Sequence, residues 1–175
     1  MVEFNLPENS RPKKGQHHPA PVGATRIKRV EIYRWSPDSD ELPRIDSFDI
    51  DLDQCGPMVL DAILKIKNEY DSSLALRRSC REGVCGSCAM NLNGRNTLVC
   101  TQSLADYPDT IKLSPLPHMS VVKDLIVDMK HIFQQYASIQ PWLKNTQSAP
   151  ANAERLQTTE QRAVLDGLYE CVLCA

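Results

Sequence analysis

The chain has 175 residues, a formal net charge of −2 and seven cysteines. This length allows one well-packed domain and part of a second, and the near-neutral charge gives no indication of a nucleic-acid partner. Seven cysteines without a secretory signal indicate a reducing compartment with metal-bound thiols, and no apolar run approaches the roughly 20 residues of a transmembrane helix.

Residues 1–25 are polar, proline-rich and without periodicity. Such a composition predicts a mobile tail, because it offers too little apolar surface to offset the entropy of ordering. His17 and His18 lie in this segment, and we interpret them as solvated side chains rather than metal ligands. Glu3 and Glu8 argue against a mitochondrial transit peptide, which is rich in arginine and poor in acidic residues.

Strands and one helix are predicted next. Alternating apolar residues mark strands near Val30 and near Phe48, each with one buried face. A helix is predicted from Gly56-Pro57, since proline is favoured at the first helical position. Asn93-Gly94 is a strong hairpin signal between two of the remaining strands. These further strands are predicted at residues 74–76, 89–92, 97–100 and 111–113.

Four cysteines lie in the stretch RRSCREGVCGSCAMNLNGRNTLVC, at Cys80, Cys85, Cys88 and Cys100. The first three have the spacing C-x4-C-x2-C and the fourth follows the predicted hairpin, which is the plant-type arrangement of thiolates around a 2Fe–2S cluster. One loop can supply three ligands only if it curls tightly. Gly83 and Gly86 favour such a curl because glycine adopts positive φ at little cost. The sequence therefore predicts an electron-transfer centre.

Other uses of these cysteines are less consistent with the spacing. A structural zinc site usually takes two C-x-x-C pairs, and only Cys85 and Cys88 form one in this stretch. Disulfides fit poorly with an odd cysteine count and no secretory signal. A zinc-stabilised interaction module with four cysteine ligands is the alternative from a different class. Cys55, just before the predicted helix, is interpreted as a small buried side chain.

The period of the apolar residues changes after Ser120. Apolar residues then recur at three and four residues and predict an amphipathic helix that ends before Pro141. A polar linker follows. Thr158 and Gln161 form a predicted capping box for a helix that runs toward Cys171 and Cys174, near the end of the sequence.

The stretch RRSCREGVCGSCAMNLNG, followed by NTLVC, resembles the 2Fe–2S segment of the iron–sulfur subunit of succinate dehydrogenase (respiratory complex II). The similarity includes IKRVEIYRW, CGPMVLDAILKIKNE, PLPHMSVVKDLIVD and LDGLYECVLCA. Fumarate reductase subunits share the cysteine spacing, but their surrounding residues are less similar. A free-standing 2Fe–2S ferredoxin is another alternative, although it needs neither the helix after Ser120 nor the second cysteine group.

The resemblance, together with the order of elements, implies an α+β fold. A β-grasp 2Fe–2S ferredoxin-type domain is expected over residues 26–118, and a connecting helix and polar linker over 119–157. Residues 158–175 correspond to the truncated start of an α-helical ferredoxin domain. Cys171 and Cys174 correspond there to a partial ligand set for a 4Fe–4S cluster. The family's 4Fe–4S and 3Fe–4S clusters cannot be completed from this sequence, so we expect a fragment that holds one cluster.

The resemblance also implies a function in the tricarboxylic acid cycle and the respiratory chain. An FAD-containing flavoprotein subunit oxidises succinate, and this chain relays single electrons toward quinone at membrane anchor subunits. No catalytic residue is expected here, because the chemistry belongs to the flavin. We expect the protein at the cytoplasmic face of a bacterial inner membrane, held through its partners, or at the matrix side if it is eukaryotic.

Succinate is a weak reductant, so a cluster with the plant-type potential of about −400 mV would be a poor electron acceptor. Three arginines, Arg77, Arg78 and Arg81, outnumber Glu82 beside the cysteines, but exposed charges contribute only about 0–1 kcal/mol each. We expect backbone N–H groups and the Ser87 hydroxyl to contribute most of the rise in potential. The arginines serve equally well as a solvated face or a docking surface for the flavoprotein.

Overall fold

The computed structural model describes residues 11–39, 41–140, 142, 144, 148 and 150–166. These residues fall into two compact units, one that ends at Asp128 and one that begins at Met129. The first unit contains the mixed sheet and the cysteine-rich stretch, and the second contains short helices.

A six-stranded mixed sheet forms the frame of the first unit. Its strands are β1 (Lys13–His18), β2 (Ile27–Arg34), β3 (Arg44–Asp51), β4 (Ala89–Leu92), β5 (Arg95–Leu98) and β6 (Thr110–Ser114). The spatial order is β1-β3-β2-β6-β4-β5. β2 pairs antiparallel with β3 and parallel with β6, while β4 pairs antiparallel with β5 and β6. This arrangement confirms the predicted α+β β-grasp fold.

One face of the sheet packs against a single helix, α1 (Val59–Lys65), which continues as a wider π-type turn over Ile66–Tyr70. Alternate residues of β2 and β3 are buried, as the period of two predicts. The helix begins two residues after Pro57, where the Asp61 carboxylate accepts a 3.1 Å hydrogen bond from Met58 N–H. Fully buried core residues from these elements include Val30, Ile32, Phe48, Ile50, Val59, Leu60 and Ile63.

The hairpin between β4 and β5 forms as predicted. Asn93 and Gly94 both have positive φ, +51° and +86°, as a two-residue type I′ turn requires. Strand β5 has the predicted length of four residues but runs from Arg95 to Leu98, two positions earlier than the predicted range 97–100. The buried Val99 and Cys100 follow it in a turn.

The prediction of a mobile tail over residues 1–25 is wrong for residues 13–18, which form β1 along β3. Gln16 N–H donates to the buried Asp46 carboxylate at 2.8 Å, and the His18 ring stacks on Phe48 with centroids 4.5 Å apart. His17 Nδ1 lies 3.0 Å from Ser47 Oγ, so the two histidines are not simply solvated. Backbone pairing at a sheet edge stabilises this polar strand, and apolar periodicity does not detect it. Residues 1–10 lie outside the described part of the chain.

The predicted helix from Ser120 is wrong at its start, because a short hairpin occupies residues 121–127. Its strands are β7 (Val121–Lys123) and β8 (Ile126–Val127). The turn contains Asp124 at φ +47°, and this residue is buried through contacts with distant partners. The first unit therefore extends to Asp128 rather than ending at residue 118.

The predicted strand at residues 74–76 also forms no regular strand. Leu74 is nonetheless fully buried in the core. Ala75 O accepts a hydrogen bond from Leu125 N–H at 3.3 Å, so this extended segment pairs with the 121–127 hairpin at one point instead of joining the sheet.

The second unit contains helices α2 (Lys130–Ile139) and α3 (Thr159–Ala163). The predicted capping box is confirmed, because Gln161 N–H donates to Thr158 Oγ1 at 3.2 Å and Thr158 N–H donates to Gln161 Oε1 at 3.1 Å. Cys171 and Cys174 lie outside the described residues. None of the helices in the described ranges combines the length and apolar character needed to cross a bilayer.

Candidate metal centre

The cysteine loop, residues 77–88, connects the segment after α1 to strand β4. Three of its residues have positive φ: Arg81 at +66°, Gly83 at +80° and Gly86 at +72°. The two glycines therefore take the conformation that the tight curl requires. Arg81 adopts the same region with a side chain, which is uncommon and indicates that other contacts hold it there.

The loop brings Cys80 and Cys85 together. Cys80 N–H donates to the Cys85 sulfur at 3.4 Å, and Cys85 N–H donates to the Cys80 sulfur at the same distance. Glu82 N–H also donates to the Cys80 sulfur, at 3.5 Å. Each of these sulfurs thus already has backbone donors directed at it, as metal-bound thiolates usually do.

Cys88 and Cys100 form a second, buried pair, 3% and 4% exposed. Cys100 lies close enough to influence the pKa of the Cys88 thiol. Cys88 O also accepts from Val99 N–H at 3.4 Å, so the start of β4 lies next to the turn that carries Cys100. The sequence-predicted residues therefore lie in two neighbouring couples.

The two couples differ in electrostatics. The Ser87 hydroxyl, followed by the N–H groups of Cys80 and Ser87, lowers the pKa of Cys85 to about 6. Burial raises the pKa of Cys88 to about 11. The donors around Cys85 favour negative charge on its sulfur, whereas burial disfavours the charged form of Cys88 until a cation compensates the cost of desolvation.

Two of the three loop arginines have specific partners. Arg81 forms an ion pair with Asp61 in the first turn of α1. Arg77 Nη1 donates to Val127 O at 2.8 Å. Their charges are thus partly engaged within the domain, which supports the expectation that hydrogen bonds contribute more to the electronic environment of the sulfurs than exposed arginines do.

Cys55 has a structural environment, as the sequence predicts. Its side chain is half-buried and packs against the hydrophobic core. Burial, reinforced by the charge of Asp61, raises the pKa of this thiol to about 11. A thiol with this environment is a weak nucleophile and a poor metal ligand at neutral pH.

The contacts of two residues near the loop, Asp61 and Asp124, could not be predicted from the sequence. Asp61 is readable as a helix-capping acid from its position in the predicted helix, but nothing local indicates its pairing with Arg81. Asp124 accepts a hydrogen bond from Ala75 N–H at 2.9 Å, just before the loop, across 49 residues of sequence. No local pattern signals that contact.

This donor set fits a two-iron cluster, because each iron of a plant-type 2Fe–2S centre takes two thiolates and the thiols lie in two couples. A mononuclear zinc site needs four ligands around one point. Among the residues that the structure describes, no three Cys, His, Asp or Glu side chains converge on a common ion position.

Comparison with known proteins points the same way. A family model described as a 2Fe-2S iron-sulfur cluster binding domain matches residues 29–134, which confirms the predicted cofactor class. The chain is 53% identical over 175 residues to the succinate dehydrogenase iron-sulfur subunit of Paracoccus denitrificans; the match covers 100% of this chain and 67% of that protein.

The fold is also similar to a chain of the Mycobacterium smegmatis Sdh1 complex in the apo form. The TM-score is 0.70 at 23% identity, and the match covers 86% of this chain and 62% of that one. The chain thus spans about two thirds of the length of the proteins it resembles. At this identity the likeness concerns the fold.

Proposed function

Since this chain belongs to the family of succinate dehydrogenase iron–sulfur subunits, we propose that it transfers single electrons from the FAD of a flavoprotein subunit toward quinone at membrane anchor subunits. It supplies no general base or nucleophile, because succinate oxidation is flavin chemistry. Through these partners it is held at the cytoplasmic face of a bacterial inner membrane. The observation that carries the proposal is the placement of two thiol couples around one curled loop.

Four cysteines are the proposed ligands. Cys80 and Cys85 would hold one iron, and Cys88 and Cys100 would hold the other. When bound, a 2Fe–2S cluster accepts and returns one electron at a time. Cys85 is exposed and Cys80 is half-buried, whereas Cys88 and Cys100 are buried on the core between β4 and the turn after β5. This difference supports electron entry and exit on the Cys80–Cys85 side.

The loop must also raise the midpoint potential of the cluster. Lifting it by roughly 300 mV from the plant-type value takes about 7 kcal/mol, at about 59 mV per 1.4 kcal/mol for one electron. Backbone N–H groups of Cys80, Glu82 and Cys85 already point at sulfur. The Ser87 hydroxyl is the largest cause of the lowered pKa of Cys85 and favours negative charge on that sulfur. Donors of this kind favour the more negative, reduced state.

Cys171 and Cys174 are proposed as two ligands of a 4Fe–4S cluster, which takes four thiolates. They lie outside the residues that the structure describes, so the proposal rests on the C-x2-C spacing and on the family. The 3Fe–4S cluster of the family has no proposed ligand in this sequence.

Metal analysis of the anaerobically purified chain tests the proposal. We expect about two irons and two acid-labile sulfides per chain, and an electron paramagnetic resonance (EPR) signal after reduction, as a single 2Fe–2S centre demands. A colourless protein with one zinc would establish the interaction-module alternative instead.

Single alanine variants identify the ligands. Replacing Cys80, Cys85, Cys88 or Cys100 is expected to abolish or severely destabilise the cluster. Cys55→Ala is the matched control, since it removes a thiol from the same domain without removing a proposed ligand. Loss of the cluster signal in the Cys55 variant would show that the ligand assignment is wrong.

A further inference from the structure

The hairpin at residues 121–127 is attached to the segment that leads into the cysteine loop. Asp124 Oδ2 accepts from Ala75 N–H at 2.9 Å, and Leu125 N–H donates to Ala75 O at 3.3 Å. Two residues further on, Arg77 Nη1 donates to Val127 O at 2.8 Å. The hairpin therefore fixes residues 75–77, which belong to no strand of the sheet.

A buried ionic network holds Asp124 in place. Its carboxylate is 2% exposed and also accepts from Arg34 Nε and Trp35 N–H, each at 3.0 Å. Arg34, 4% exposed, donates in addition to Asp71 at 2.6 Å and to Asp46 at 3.5 Å. A buried carboxylate with three donors is costly to move, because any shift leaves a charge or an N–H group unpaired.

The network also includes the turn before the loop. Arg34 Nη2 donates to Ser73 Oγ at 2.9 Å, and Asp71 Oδ1 accepts from Ser73 N–H at 2.9 Å. The path from residue 71 to residue 77 is thus held at both ends by groups that converge on Arg34 and Asp124. Cys80 follows Arg77 by three residues, so a displacement of Ala75 passes directly to the first ligand.

We propose that Asp124 is a positioning residue for the cysteine loop: it fixes Ala75, and through Ala75 it sets the placement of Cys80 and Cys85 around the cluster. This inference rests on the proposed function. It makes the 121–127 hairpin part of the redox domain rather than a connection to the next one. Asp124 touches no sulfur, and its effect passes through the backbone of residues 75–77.

The test compares Asp124→Asn with Asp46→Asn. Both substitutions neutralise a buried carboxylate that faces Arg34, and the two side chains are 2% and 1% exposed. Asp46 is a matched control, because its hydrogen-bond partners are Gln16 N–H and the Arg34 and Arg44 guanidinium groups, none of which belongs to residues 75–77. In Asp124→Asn the amide N–H₂ must face at least one donor, since asparagine has a single acceptor oxygen.

Two readouts are measured on the full chain. We expect both variants to melt at a lower temperature, whereas only Asp124→Asn changes the g-values and line shape of the reduced cluster's EPR signal. Amide hydrogen exchange at Ala75 is expected to accelerate about tenfold in that variant, the loss expected for one net hydrogen bond. Equal EPR changes in both variants, or an unchanged signal and unchanged exchange in Asp124→Asn, would overturn the proposal.

A milder variant covers the case in which Asp124→Asn does not fold. Arg77→Gln removes the contact with Val127 O at an exposed position, and Arg78→Gln removes the same charge from the adjacent exposed residue. We expect an altered EPR line shape only in Arg77→Gln, and identical spectra would contradict the positioning role. If the wild-type chain shows no 2Fe–2S signal, the proposed function fails, while the exchange measurement at Ala75 still tests the attachment of the hairpin.

Discussion

Asp61 pairs with Arg81, which places a carboxylate of helix α1 against the residue that follows Cys80. The same carboxylate accepts from Met58 N–H at the start of the helix. Arg81 holds φ at +66°, a conformation that a residue with a side chain keeps only when its surroundings enforce it. Helix capping and loop conformation therefore depend on one side chain.

Replacing Asp61 and replacing Arg81 are expected to shift the midpoint potential of the cluster in opposite directions. Asp61→Asn leaves Arg81 uncompensated and raises the potential, whereas Arg81→Gln leaves a carboxylate near the cluster and lowers it. Each shift should stay within about 40 mV, since Arg81 is 53% exposed and such charges contribute about 0–1 kcal/mol. Redox titration measures both, and shifts of the same sign would contradict the electrostatic interpretation.

Ser87→Ala is expected to lower the midpoint potential more than Arg78→Gln. The Ser87 hydroxyl is the main cause of the lowered pKa of Cys85, a proposed ligand, so its loss removes an interaction that favours negative charge on that sulfur. Arg78 is an exposed charge and acts through solvent. Parallel potentiometric titrations give the ranking. The opposite order would show that surface charge affects the midpoint potential more than the Ser87 hydroxyl does.

Two glycine variants separate backbone strain from loop packing. Gly83 and Gly94 both have positive φ, +80° and +86°, so an alanine at either position is strained by about 1–2 kcal/mol. A methyl group at Gly94 meets no atom within 4 Å, whereas one at Gly83 lies 2.8 Å from Thr101 Cγ2. We expect Gly94→Ala to bind iron normally and Gly83→Ala to assemble less cluster. Equal iron content in the two purified variants would contradict this expectation.

The Cys55 thiol makes the stability of the fold depend on pH in the alkaline range. Burial raises its pKa to about 11, above the roughly 8.5 of a thiol in an unfolded chain. The neutral thiol therefore stabilises the fold below about pH 8.5, and this contribution is lost as the pH rises toward 11. We expect the free energy of unfolding to fall less steeply over this range in Cys55→Ala.

Urea titrations at several pH values measure that slope. Tyr33 and Tyr70, whose pKa values burial also raises, are present in both proteins and cancel in the comparison. Identical slopes in the wild type and Cys55→Ala would show that the Cys55 thiol is not sequestered.

Local patterns predicted the parts of the fold that local chemistry determines. The cysteine spacing, the Asn93-Gly94 turn and the Thr158 cap each depend on residues a few positions apart, and each is found where the sequence indicates. Strand β1 was missed because its stability comes from partners 30 residues away, such as Ser47 and Asp46.

The predicted helix start at Ser120 is wrong for a related reason. Val122, Leu125 and Ile126 have helical spacing, but Asp124 between them is buried by Arg34, 90 residues earlier. The candidate site shows the same division. Its four cysteines follow from their spacing, whereas the contacts of Asp61 with the loop and of Asp124 with the segment before it follow only from the tertiary structure.

We also expect strand β1 to limit self-association of the molecule. Without it, β3 would be the sheet edge, with unpaired N–H and C=O groups that invite another chain to add a strand. β1 is a poor template for such addition, since Lys13 and Lys14 place charge along it and its register shifts between Lys14 and His17. A chain that begins after residue 18 should therefore aggregate more readily, even though every cluster ligand is retained.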